Sequence, residues 1–382
     1  MSAPAYDTER LFDIDDVAHA ASRALPGHVW DFIDGGSGGE STLAANRTAL
    51  SGICLVPRAL TGVTRGDCAG EMLGSPVSAP LAVAPMAYQR LVHPDGELAL
   101  ARAARSAGVV YVASMLSSHT VEEIAGVGAE TWFQLYWLRD RARTGELIER
   151  AEAAGCRALV LTVDVPRMGR RLRDMRNAFA LPGTVTAANL ETSAADGRGS
   201  TAHAARPGAS AVTAHTAETL DPTLSWADLA WIRARTGLPL IIKGIMDPGD
   251  GTRAVDAGAD AIVVSNHGGR QLDGALPSIS ALPGVVRAVD DRCPVLMDGG
   301  IRSGADVLKA LALGATGVLV GRPALWGLAA GGQDGASAAL RLLHTELEEA
   351  MALAGCGDLT AARQLPVRTT AGARVTDEGT AR

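Results

Sequence analysis

The chain has 382 residues, 47% of them apolar and 20% charged, with a formal net charge of −7, which is enough to bury one large core or two smaller ones. The acidic balance, broken only by the arginine-rich run Arg167 to Arg176, excludes nucleic acid and an anionic membrane surface as partners. Five scattered cysteines without a CxxC pair exclude a disulfide framework, and the histidines form no metal-ligand spacing, so no metal is expected.

The polar, acidic amino end shows no signal-peptide pattern and no run is apolar for the length of a bilayer span, so a cytoplasmic protein is expected. Residues 1–77 hold a helix at Ile14 to Leu25, a second helical run at Thr42 to Leu50 and an extended piece, read as a cap over the lower end of the main domain. From residue 78, short β-branched runs alternate with Ala/Glu/Arg-rich helical ones. The strand candidates are Pro80–Met86, Val109–Ser114, Thr131–Tyr136, Ala158–Asp164, Leu238–Gly244, Ala261–Gly268, Pro294–Gly300 and Gly317–Arg322. Helical runs such as Gly96–Gly108, Thr144–Gly155 and Gly304–Gly314 lie between them, each closing on a glycine that suits a left-handed cap. Eight strand–helix units in order predict an α/β fold, a TIM (β/α)8 barrel over 78–330. The regularity breaks at 182–225, an Ala/Thr/Gly/Ser mixture after the fourth strand that reads as a mobile lid with a disordered middle near Ala194 to Ser210. Residues 331–382 are expected to form further helices and a tail frayed beyond Pro366.

In such a barrel the C-terminal strand ends meet at one mouth, where chemistry is carried. The most informative end is Ser265-Asn266-His267-Gly268-Gly269-Arg270: a base and a fixed cation presented by glycines that let backbone approach a ligand. The other ends bring Ser114, Gln134, Tyr136, Thr162, Asp164, Lys243, Asp298 with Arg302, and Gly321 with Arg322. The last two loops, around Gly300 and Gly321, have the glycines and arginines of a phosphate site where barrels commonly hold one, although each motif alone is no more than a turn. A phosphate at one edge, a lysine near the axis and a base opposite suit FMN, with Lys243 stabilising negative charge on the reduced ring. Pyridoxal phosphate would leave the His–Arg pair and Gln134 unexplained.

The segments SNHGGRQLDG, TVDVPRMGRR, FQLY, KGI, DGGIRSGADVLKALALGA and GRP, spread in order over nearly the whole chain, resemble the FMN-dependent α-hydroxy acid oxidase and dehydrogenase family. That resemblance implies FMN as cofactor, an (S)-2-hydroxy acid as substrate, O2 as electron acceptor giving H2O2, and a homotetramer. It implies His267 as the base, Asp164 orienting it, Arg270 and Arg171 clamping the carboxylate, and Tyr136 bonding the substrate oxygen. Ser114, Gln134, Thr162, Lys243 and Ser265 would hold the flavin ring, backed by Ala84, Pro85, Met86 and Ala87. Asp298 would take ribityl hydroxyls, while Gly300, Arg302, Gly321 and Arg322 would bind phosphate. A dehydrogenase using another electron acceptor and a non-redox FMN isomerase are the competing activities.

Two departures from the family pattern bear on the substrate. A tyrosine that usually donates to the carboxylate is Phe32 here, and a bulky tryptophan that crowds the substrate tail is Leu116. With Met168 these leave an apolar slot suited to an aromatic 2-hydroxy acid, the mandelate class used in making aryl building blocks of antibiotics. Ordinary core packing explains Leu116 and Met168 equally well.

Overall fold

A strand covered on both faces can be apolar on both, and each of the eight candidate runs carries a predominantly apolar stretch. In the computed structural model, which describes residues 11–190 and 201–370, all eight form strands. Three short ones precede the first of them: β1 (Ile53–Leu55), β2 (Gly70–Met72) and β3 (Ser75–Val77). Then come β4 (Leu81–Val83), β5 (Val110–Ser114), β6 (Thr131–Leu135), β7 (Leu159–Thr162), β8 (Leu240–Ile245), β9 (Ala261–Val264), β10 (Val295–Asp298), β11 (Gly317–Val320) and a final β12 (Val367–Thr369). Strands β4 to β11 close on themselves in chain order as a parallel barrel, the expected TIM architecture.

The helices are α1 (Ile14–Ala24), α2 (Gly27–Asp34), α3 (Ser41–Ser51), α4 (Gly96–Ala107), α5 (Val121–Ala125), α6 (Arg141–Ala153), α7 (Leu172–Arg176), α8 (Ala211–Thr219), α9 (Asp228–Arg233), α10 (Pro248–Asp256), α11 (Ser278–Val289), α12 (Gly304–Ala312), α13 (Arg322–Leu353) and α14 (Leu359–Arg363). Side-chain caps start many of them: Asp13, Thr120, Asp140, Asp247, Ser303 and Asp358 each accept a backbone N–H of the first turn. The outward strand residues and the inner helix faces make one large core, and the inward residues make a second inside the barrel.

Successive strand residues alternate between those cores. The inward set, Ala82, Val110, Val112, Trp132, Ala158, Val160, Ile241, Ala261, Val263, Leu296 and Leu319, is a closed apolar filling. One inward step further along the same strands stand Ser114, Gln134, Thr162, Lys243, Ser265 and Asp298, all buried and all polar. That switch of polarity locates the site.

Three sequence expectations are corrected. The amino-terminal region does not simply cap the lower end: only the β2–β3 hairpin does, sending Met72 and Val77 into the inner apolar core. The unexpected helix α2 and the turn after it lie instead at the mouth, where Phe32 and Ile33 line the cavity. The segment 182–225, expected to be disordered near Ala194 to Ser210, carries local structure both before that stretch and within its described part, because a buried backbone needs partners. It holds a 3-10 turn at Ala188–Leu190, another at Thr201–His203, helix α8 and the anchoring bond from the Leu181 N–H to the Ala202 carbonyl, 2.9 Å. Of its expected disordered middle, residues 194–200 lie outside the described residues. The tail is tied down past Pro366, since β12 pairs antiparallel with β1; residues 371–382 lie outside the described residues. Among the described residues no helix is long and apolar enough to cross a membrane.

Candidate active site

The polar layer opens into a solvent-connected cavity at the mouth of the barrel, with about 1240 Å³ of space between atoms, open solvent included. Of the residues expected here, Ala84 to Ala87, Ser114, Leu116, Tyr136, Thr162, Met168, Arg171, Lys243, His267, Arg270, Asp298, Gly300, Arg302, Gly321, Arg322 and Phe32 all line it. Gln134, Ser265 and Asp164 are absent from the lining and stand directly behind it. Gln134 accepts from the Ser114 hydroxyl and donates to that of Thr162, both at 3.1 Å. Ser265 Oγ accepts from Lys243 Nζ at 2.9 Å and from the His267 N–H at 3.0 Å, so one buried hydroxyl fixes the lysine and the start of the histidine loop together.

The loop that presents His267 is held in an unusual backbone conformation. His267, Gly268 and Gly269 have φ of 57°, 61° and 77° in succession, which a side-chain-bearing residue adopts only when its surroundings impose it. The restraint comes from a reciprocal amide pair: Asn46 Nδ2 donates to Asn266 Oδ1 at 3.0 Å and Asn266 Nδ2 donates to Asn46 Oδ1 at 2.8 Å, while Asn266 Oδ1 also accepts the Gly269 N–H. On the far side Gln271 donates to the carbonyls of Asp164 and Arg167, at 2.9 and 2.8 Å, pinning the two loops side by side.

This brings His267 Nδ1 to 2.9 Å from Asp164 Oδ1. With Nδ1–H donating to the carboxylate, Nε2 carries the free lone pair, and the imidazole is oriented as a base. Burial works to raise the Asp164 pKa, but the facing His267 and Lys243 outweigh it and hold the carboxyl below its ordinary value. The approach of Asp164 depends on Gly244 in the irregular end of β8: its φ is 114°, and a Cβ there would lie 2.7 Å from Asp164 Cβ.

The cavity is rich in buried cations. Lys243 Nζ lies 2.8 Å from Asp298 Oδ2; burial disfavours the ammonium, yet Asp298 and Asp164 outweigh it and raise the lysine pKa. The arginines are less well matched. Burial and neighbouring arginines lower Arg302 to about 9, burial in the main lowers Arg322 to about 10, and Arg171 and Arg270 are lowered by burial as well. A guanidinium does not give up its proton, so these shifts express unmatched positive charge that an anionic ligand would neutralise. Arg270 and Arg322 also grip the turn after α2: Arg270 donates to the carbonyls of Phe32 and Gly35 at 2.9 and 2.6 Å, and Arg322 to those of Asp34, Gly35 and Gly268. Two orphaned atoms sharpen the picture, since Asp298 Oδ1 and Arg171 Nε are buried without a partner and their residues line the cavity.

Over the mouth, the Phe32 ring stacks on Phe179 with centroids 4.3 Å apart, and the Arg171 and Arg270 guanidinium carbons lie 6.0 and 5.7 Å from the Phe32 centroid. Phe32 thus sets an apolar face beside the arginines, Leu116 and Met168 add apolar lining to the same cavity, and α8 adds Val212 and Thr216. Sequence reading missed these last two because AVTAHTAET has no apolar stripe; the only signal is that Val212 and Thr216 are four apart, one above the other on a helix face.

A flavin mononucleotide fits these residues. Arg302, Arg322 and the N-terminus of α13 after Gly321 would offer its phosphate a site, the orphaned Asp298 Oδ1 would be free to accept from hydroxyls, and Lys243 would supply a cation to the ring edge. Comparison with known proteins agrees. The family model for FMN-dependent dehydrogenase matches residues 21–369. The chain is 56% identical over 350 residues to a 4-hydroxymandelate oxidase of Amycolatopsis orientalis, covering 92% of this chain and 96% of that one. It is 50% identical to an L-lactate oxidase of a Nostoc species, covering 91% and 95%. A crystal structure of mandelate oxidase with (S)-4-hydroxymandelic acid superimposes with a TM-score of 0.91 at 55% identity, over 95% of this chain and 100% of that one.

Proposed function

From these likenesses, which place the chain in the FMN-dependent dehydrogenase family, we propose that it oxidises an aryl (S)-2-hydroxy acid, 4-hydroxymandelate foremost and mandelate beside it. The products are the 2-oxo acid and, from O2, hydrogen peroxide. The carrying observation is the meeting in one cavity of the His267–Asp164 pair, the unmatched guanidinium of Arg171 beside Arg270, and the apolar lining of Phe32, Leu116 and Met168.

Bound FMN supplies the two-electron acceptor. Arg171 takes the substrate carboxylate through a guanidinium that has an unfilled donor, and Arg270, whose donors are partly committed to backbone carbonyls, adds charge more than new hydrogen bonds. His267 Nε2 removes the substrate proton, and Asp164 balances the imidazolium that forms. Tyr136 lies in the same lining; burial and the nearby Asp164 raise its pKa, so it meets the substrate oxygen as a neutral donor. Lys243, kept charged by Asp298, would supply a cation to stabilise negative charge on a bound flavin. The neighbouring carboxylates make Lys243 a fixed cation and His267 the proton carrier.

Anaerobic mixing of the yellow holoenzyme with 4-hydroxymandelate, mandelate, lactate and glycolate tests the reading, followed by admission of air and assay of peroxide. Bleaching is expected to be fastest with the two mandelates, with one peroxide per substrate oxidised. Lactate bleaching the flavin much faster than 4-hydroxymandelate would overturn the aryl assignment, and reoxidation by a dye but not by air would overturn the oxidase. The tetrameric state implied by the family resemblance and the cytoplasmic location expected from the sequence are part of the same proposal, checked by light scattering and cell fractionation.

A further inference from the structure

Among the side chains that line the cavity, Phe32, Leu116, Met168 and Val212 present hydrocarbon or thioether, and one helical turn from Val212 on α8 the lining residue Thr216 adds a hydroxyl. It is 5% exposed and sits in the last turns of α8. Its hydroxyl donates to the Val212 carbonyl one turn below, at 2.8 Å. A threonine hydroxyl has a single hydrogen, so once that is committed to the helix the oxygen keeps only lone pairs to offer. Ligand groups that donate are welcome there; groups that only accept find no partner.

Resting on the aryl hydroxy-acid reading above, we propose that Thr216 determines specificity at the far end of the substrate ring, accepting a hydrogen bond from a phenolic hydroxyl. The chain would then prefer a 4-hydroxy ring over a bare one, and gain nothing from a 4-methoxy group, which has oxygen but no hydrogen to give. A site that hydrogen-bonds a substrate hydroxyl discriminates against the analogue lacking it because its own polar group is left unpaired. Helix α8 has no apolar stripe of its own, and its placement over the cavity supplies the role.

The test uses the FMN-loaded enzyme and the variants Thr216→Val, nearly the same shape without the oxygen, and Thr216→Ser, which keeps it. The ratio of kcat/KM for 4-hydroxymandelate to that for mandelate is expected to fall roughly three- to tenfold in Thr216→Val, the worth of one neutral hydrogen bond, and to hold in Thr216→Ser. The ratio for 4-methoxymandelate to mandelate should not fall. Affinity for 4-hydroxybenzoylformate relative to benzoylformate, read from perturbation of the flavin spectrum, should follow the same pattern without turnover. An unchanged 4-hydroxy ratio in Thr216→Val, or an equal loss in Thr216→Ser, overturns the proposal. A wild-type enzyme reduced by neither mandelate overturns the aryl reading itself, a result the Thr216 comparison cannot mimic.

Discussion

The lower and upper halves of the barrel interior are built from the same strands and serve opposite ends. Below, Trp132, Val160, Ile241 and Leu296 fill the closed space and the β2–β3 hairpin seals it with Met72 and Val77. Above, at the next inward position along those strands, stand Gln134, Thr162, Lys243 and Asp298. Two residues of strand, about 7 Å, separate a region that holds the fold from one whose groups are held in place for chemistry. The rigid packing beneath is what lets an ammonium, a carboxylate and several guanidinium groups sit buried within hydrogen-bonding reach of a ligand without collapsing on one another.

The sharpest way to break this division is His267→Ala. Loss of a general base is expected to slow anaerobic flavin bleaching roughly 10²- to 10⁴-fold, while the yellow colour and the unfolding midpoint stay near those of the parent protein, as stopped-flow and urea titration would read. A variant that unfolds, or one that still bleaches at the parental rate, would mean the two halves are not separable in this way. The mirror-image lesion is Trp132→Ala at a position 1% exposed. It is expected to lose about 3–5 kcal/mol of stability through cavity formation, with bleaching by the folded fraction changed only a few-fold. Smallest is the pH signature of Asp164. Its pKa is held below the ordinary carboxylate value, so its pairing stabilises the protein above about pH 4 and that stability is lost as pH falls through the lowered native value. Asp164→Asn should therefore narrow its stability deficit relative to the parent as urea titrations move from pH 6 to pH 3; a deficit constant across that range would mean the carboxylate charge does not contribute.

The barrel was legible because its strands are short β-branched runs broken by glycines, and the polar layer because six of the eight runs reach a residue such as Lys243 or Asp298 that a core strand would not carry. What stayed hidden depends on long-range partners. Helix α2 was not anticipated, and nothing local says that its carbonyls would receive Arg270 and Arg322. The β2–β3 hairpin has three-residue strands, one with Pro76, too brief for alternation to register. Val212 and Thr216 lie in a composition that looks like filler, and Gly244 reveals its purpose only when Asp164 is seen 2.7 Å from where its Cβ would stand. Ser265 and Gln134 were recognised as belonging to the site, but their places in the layer behind the wall are set by hydrogen bonds that no spacing encodes.

The grip of Arg270 and Arg322 on the carbonyls of residues 32–35 has a practical consequence for anyone wishing to trim this protein. An excised barrel beginning at β4 would look complete on a topology diagram, with every strand and its following helix present. It would nonetheless leave two charged forks in the cavity without the carbonyl acceptors of residues 32–35, and the mouth would have to flood or refold to hydrate them. The leading segment is thus an inseparable part of the reaction vessel, and fusions or shortened versions should be joined ahead of α1, never between it and the first barrel strand.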